Sequence, residues 1–96
     1  MDEDENQLYQ AILSLKDADE CRAFFKDLCT PQEIKDMKDR FMVAKLLYHS
    51  KLSYREISAQ TKISLTTITR VARFLIQEAY QGYKLILDRK KEDEKI

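Results

Sequence analysis

Residues 52–75 read Leu-Ser-Tyr-Arg-Glu-Ile-Ser-Ala-Gln-Thr-Lys-Ile-Ser-Leu-Thr-Thr-Ile-Thr-Arg-Val-Ala-Arg-Phe-Leu. Ser53, with Glu56 three positions later, forms a reciprocal helix cap. Ser64 caps a second helix, and Ile63 just before it is placed to plug the joint. This spacing predicts two short helices with a tight turn between them, the first with an inner face of Ile57 and Thr61. On an ideal second helix at ~100° per residue, Ile68, Val71, Ala72 and Leu75 share one side, while Thr66, Thr69, Arg70 and Arg73 share the other. That outer face carries no acid. Short hydroxyls at its start and guanidiniums further along suit a helix laid in the major groove of DNA with phosphates on either side. The same pattern also describes an ordinary surface helix, and pattern alone supports both.

Further helices extend to either side. Thr30 as cap, Pro31 at a first helical position where its missing N–H costs nothing, and Glu33 closing the box predict a helix start. Ile34, Met37, Phe41, Ala44 and Tyr48 continue its apolar stripe. Before it, Asp17 with Glu20 opens a helix whose Cys21, Phe24, Phe25 and Leu28 recur at helical spacing, and residues 5–16 place Leu8, Ile12 and Leu15 in the same way. After it, Gly82 is expected to end or bend the helix begun at Ser64, and 83–95 forms a last one. Six helical segments in a chain with one Gly and one Pro make the fold class all-α.

The 96 residues, 44% of them apolar, suffice for one domain, 1–96, with the helix-turn-helix at about 53–75. The charged ends, about 1–5 and 89–96, are expected to fray. So short a chain leaves much surface exposed, which makes a dimer an effective way to bury more. Tyr9, Phe24, Phe25, Phe41, Tyr80 and Tyr83, at helical spacings, are expected in the core and dimer interface rather than as base-stacking groups.

Net charge is zero but unevenly spread. Residues 51–75 hold five basic side chains (Lys51, Arg55, Lys62, Arg70, Arg73) and one acid, Glu56. Attraction to phosphate is therefore local. No apolar run approaches the ~18 residues of a membrane span, and the N-terminus is acidic rather than basic, so a cytoplasmic protein without membrane contact is expected. Cys21 and Cys29, eight positions apart in what reads as one helix, would lie ~12 Å apart, too far for a disulfide; reduced thiols follow. One His and two Cys make no zinc set, and His49 reads as a surface or cap residue. With no phosphate loop and no nucleophile elbow, neither an enzyme, a cofactor nor a metal site is expected.

Leu52 to Arg70 resembles a bacterial helix-turn-helix. With the Thr30-Pro31 start and Arg40 ahead of it, the chain from about 5 to 80 resembles the Trp repressor superfamily, and within it the Trp-repressor-related YerC/YecD group. The likeness is sharpest in Leu52-Ser53-Tyr54-Arg55-Glu56-Ile57 and Thr67-Ile68-Thr69-Arg70. It implies an intertwined homodimer that presents two reading heads to a pseudo-palindromic operator in double-stranded DNA and represses transcription. Tyr54, Arg55 and Ser58, then Leu65, Thr66, Thr67 and Thr69, would contact DNA, joined by Lys62, Arg70 and Arg73 from the charge pattern. Where Tyr54 and Ser58 stand the repressor has amide and lysine side chains, so its operator sequence does not transfer. Lys62 stands where many such units have Gly for a left-handed backbone, at ~1 kcal/mol of strain.

In the repressor two arginines sandwich the indole of tryptophan and bind its carboxylate, and both are present, as Arg40 and Arg70. The Gly beside the second arginine is Val71 here, and the Ser facing the ligand's amino group is Phe74. Bulk replaces room, and Phe74 removes a polar partner the ammonium needs. No response to tryptophan is expected. Instead Phe74 is expected to fill the effector pocket (Arg40, Arg70, Val71, Phe74) and to hold the reading head in place without ligand. The alternatives are a different small-molecule effector, phosphate contact or surface pairing for the two arginines, and, for the whole chain, a helical protein-protein adaptor built on the same fold.

Overall fold

A computed structural model of the chain describes the backbone of residues 1–94 and the side chains of residues 1–91, so the end of the expected charged tail, 95–96, lies outside the described residues. Six helices follow in order: α1 (Glu3–Leu13), α2 (Ala18–Leu28), α3 (Pro31–His49), α4 (Tyr54–Thr61), α5 (Leu65–Ile76) and α6 (Gly82–Glu94). No strand occurs among the described residues, and no helix there is long and apolar enough to cross a membrane. The expected all-α class is the one observed.

Contacts divide the chain into two compact units, residues 1–35 and 36–96. The first is built on caps. Asp2 accepts from the Glu5 N–H at 2.7 Å, so the acidic run at the N-terminus forms the first turn of α1, where carboxylates favour the helix dipole. Asp17 accepts from the Glu20 N–H at 2.8 Å, and Glu20 reaches back to the Lys16 N–H at 2.9 Å. Thr30 and Glu33 exchange both bonds of a capping box, at 3.1 and 2.8 Å. Yet α1 and α2 hold no buried residue. Ile12, Phe24 and Phe25 are only half-buried, and Leu13 is 74% exposed. Cys21 and Cys29 are free thiols, with Cys29 at the C-cap of α2 in extended backbone.

The second unit contains the core. Val43 and Ala44 from α3, Ile57 from α4, Ile63 from the turn, Ile68, Val71 and Leu75 from α5, and Leu87 from α6 form one buried cluster, flanked by half-buried Phe41, Leu46, Leu47, Tyr48, Leu52 and Tyr83. Met37, expected on the inner stripe of α3, is 40% exposed, whereas Val43, outside that stripe, is fully buried. A further bond joins α3 to α6, where the Tyr48 hydroxyl donates to Asp88, which also pairs with Lys84 at 2.9 Å.

The end of α5 departs from expectation. The helix stops at Ile76 rather than running to Gly82, because its apolar stripe ends at Leu75 and the chain must reverse within 77–81 to bring Leu87 into the core. The left-handed residue of that turn is Gln81 (φ 60°), not Gly82, which opens α6. Leu87 packs on its own chain, while Leu85 and Ile86 remain about half exposed. Tyr80, expected in the core or an interface, is 83% exposed.

Ile57 has no exposed surface and touches the cluster from the middle of α4. Ile57→Ala should therefore cost about 2–5 kcal/mol, since the fixed helices around it cannot collapse fully into the cavity. A lowered urea midpoint at constant protein concentration checks this.

Candidate nucleic-acid interface

The α4–α5 pair is shaped by hydroxyls. At the start of α4, Ser53 and Glu56 exchange both bonds of a capping box, at 3.1 and 3.0 Å. At its end, Lys62 takes a left-handed conformation (φ 65°, ψ 14°) and its N–H returns to the Ser58 carbonyl at 2.9 Å. The Ser58 hydroxyl donates to the Ile63 carbonyl at 2.7 Å, and Thr61 both donates to the Ile57 carbonyl at 2.7 Å and accepts from the Ile63 N–H at 3.1 Å. The turn is thus closed without glycine, and buried Ile63 plugs it. Ser64 then caps α5, accepting from the Thr67 N–H at 3.2 Å.

With Ile68, Val71, Ala72 and Leu75 buried, the opposite side of α5 faces outward. Tyr54, Arg55, Lys62, Leu65, Thr66, Thr69, Arg70 and Arg73 are all exposed. Ser58 and Thr67, from the same expected set, are half-buried. The donor of Ser58 is committed to the turn, and Thr67 lines a hollow of about 180 Å³ with Asp36, Asp39 and Arg40.

The arginines of the expected effector pocket line different hollows. Arg40 belongs to the polar one just named. Arg70 borders a larger, mostly apolar one of about 330 Å³ with Phe41, Val71, Phe74, Tyr83 and Ile86. Its guanidinium lies 4.6 Å from the centre of the Phe74 ring, and that ring stacks on Tyr80 at 6.4 Å. Arg73 lies 5.6 Å from the same ring and pairs with Glu78, Nε to Oε1 at 2.7 Å.

Glu78 is the residue that pattern reading missed, and Tyr80, expected in the core or dimer interface, stacks on Phe74 at the surface instead. On a helix continued past Ile76, Glu78 would sit ~140° around the axis from Arg73. Only the early end of α5 and the turn after it bring the carboxylate back. Among the described residues no His, Cys, Asp and Glu group could hold a metal ion.

The Trp repressor protein family model matches residues 3–91. The chain belongs to the Trp repressor family. This is a family of DNA-binding transcription regulators rather than enzymes. YerC of Bacillus subtilis, itself uncharacterised, is 44% identical over 89 residues, which is 93% of this chain and 84% of YerC. Among solved structures, a TrpR-like protein from Eubacterium eligens superposes with a TM-score of 0.82 at 44% identity, covering 90% of this chain and 87% of that one. A proposed Trp repressor from Staphylococcus aureus gives 0.87 at 37% identity, covering 95% and 89%. The resemblance carried by Leu52–Arg70 and Thr30–Arg40 thus extends along most of this Trp repressor family chain.

The capping box gives this unit a pH dependence. The backbone N–H of Ser53, and then its hydroxyl, hold the Glu56 carboxyl below its ordinary value of 4.5. A carboxyl depressed in the folded state contributes stability above its unfolded value and loses it as pH falls through the folded one. An NMR titration should therefore place the Glu56 midpoint below 4.5, with the Ser53 amide shift following the same curve. Glu56→Gln should abolish that component of the amide titration.

Proposed function

We propose that the chain is a sequence-specific transcriptional regulator, most simply a repressor, that reads a pseudo-palindromic operator as a homodimer and does so without tryptophan. The observation carrying this reading is the two-sidedness of α5. Its aliphatic side is sealed into the core, and this leaves Thr66, Thr69, Arg70 and Arg73 outward, with Arg55 and Lys62 of the same helix-turn-helix also exposed. Such a helix enters the major groove with its first turn toward base edges, while the basic groups release counterions from the phosphates. Tyr54, Arg55, Ser58, Leu65 and Thr67 complete the contact set. The cytoplasm, where the DNA is, is its place of work.

The bare apolar stripes of α1 and α2 favour the dimer, because helices that bury no residue of their own need a partner surface. Two reading heads on a twofold axis then address half-sites about 34–36 Å apart. Sedimentation should find a dimer at low micromolar concentration that separates only with unfolding, and a stable folded monomer would count against it.

Two observations favour independence from tryptophan. Phe74 already lies against the Arg70 guanidinium, on a face the ligand would need, and Arg40 stands among Asp36 and Asp39, whose charge disfavours a carboxylate. The 330 Å³ hollow beside Arg70 supports a second reading, in which a different, largely apolar effector binds there.

Selection from a random duplex pool at about 150 mM salt, with and without L-tryptophan, tests the proposal. A twofold-symmetric site enriched equally in both arms is expected. Arg55→Ala should weaken binding to that site several-fold and reduce the salt slope by about one. Enrichment only with tryptophan would overturn ligand independence. Weak, salt-insensitive DNA binding beside capture of a protein partner would favour a helical adaptor.

A further inference from the structure

Resting on the DNA-binding reading, we infer that Glu78 sets the selectivity of that binding by restraining Arg73. The outer face of α5 has no acid of its own, and the turn after the helix supplies one. Arg73 donates from Nε to Glu78 Oε1 at 2.7 Å, and a terminal nitrogen approaches the same oxygen at 2.6 Å. The turn is itself anchored, because the Glu78 N–H returns to the Arg73 carbonyl at 3.0 Å and the Gln81 side chain donates to the Glu78 carbonyl at 2.9 Å. The guanidinium also lies over the Phe74 ring, 5.6 Å from its centre. An arginine with five N–H donors thus keeps some free for phosphate while its position is held.

The Arg73 side chain is 63% exposed, so the pair adds little to folding stability. Its consequence lies in how the positive charge is used. Binding to arbitrary sequence is almost entirely phosphate electrostatics, to which a freed arginine contributes on any duplex. At a chosen site the protein is already in register, and a guanidinium held in place meets one phosphate without first being ordered. Cancelling part of the charge while fixing the group therefore penalises random DNA more than the site. Glu78 acts through Arg73 and is a positioning residue.

The test compares the wild-type protein with Glu78→Gln, Arg73→Gln and the double variant, on random-sequence duplex and on the selected site across a salt series. Glu78→Gln should bind random duplex roughly three- to tenfold more tightly at low salt, with a salt slope steeper by about one, and the ratio of site to random affinity should fall. In the Arg73→Gln background the same change should leave that ratio unmoved. Glu78→Ser, which also removes the carboxylate, should repeat the effect. An unchanged ratio in Glu78→Gln, or an equal change in the Arg73→Gln background, would overturn the inference alone. Failure of the wild-type protein to bind either duplex at about 50 mM salt would overturn the DNA reading and the inference with it.

Discussion

Burial of one side of α5 is the constraint on which the rest of the second unit depends. Ile68 and Val71 are sealed against Val43 of α3, Ile57 of α4 and Leu87 of α6, so four helices meet on a single short stripe. Each fully buried aliphatic of that kind is worth about 1.5–3 kcal/mol. Their combined removal from water fixes the rotation of α5 about its axis. The rotation in turn decides which residues face outward, so the chemistry of the exposed face follows from packing on its reverse. A one-position shift in the stripe would turn Thr66, Thr69 and Arg73 by ~100°.

The joint between α4 and α5 shows how a polar sequence achieves a tight turn without glycine. Lys62 adopts the left-handed conformation at a strain of ~1 kcal/mol, and Ser58 and Thr61 satisfy the carbonyl and N–H groups that the turn would strand. Both hydroxyls are therefore bonded within the turn. Ser58 closes the turn with its own hydroxyl, which donates to the Ile63 carbonyl.

Aromatic and guanidinium groups organise the far end of α5. Phe74 is shared by Arg70 and Arg73 and backed by Tyr80, which places two like charges around one ring. The ring faces carry negative potential and the nearby carboxylate of Glu78 lowers the repulsion further, so the cluster holds together at the surface. This arrangement gives Phe74 an electrostatic role beside its stacking on Tyr80.

Much of the fold was readable along the chain. Six helices, the caps at Asp17, Thr30, Ser53 and Ser64, and the inward set of α5 follow from local periodicity and from hydrogen bonds made within three or four residues, which require no distant partner. The end of α5, the burial of Val43 in place of Met37, the inward turn of Leu87 and the return of Glu78 to Arg73 did not follow. Each depends on groups far apart along the chain, or on where a helix must stop so that the next can pack. Periodicity says which residues can share a face; the space left by neighbouring helices says which face is covered and where the chain turns back.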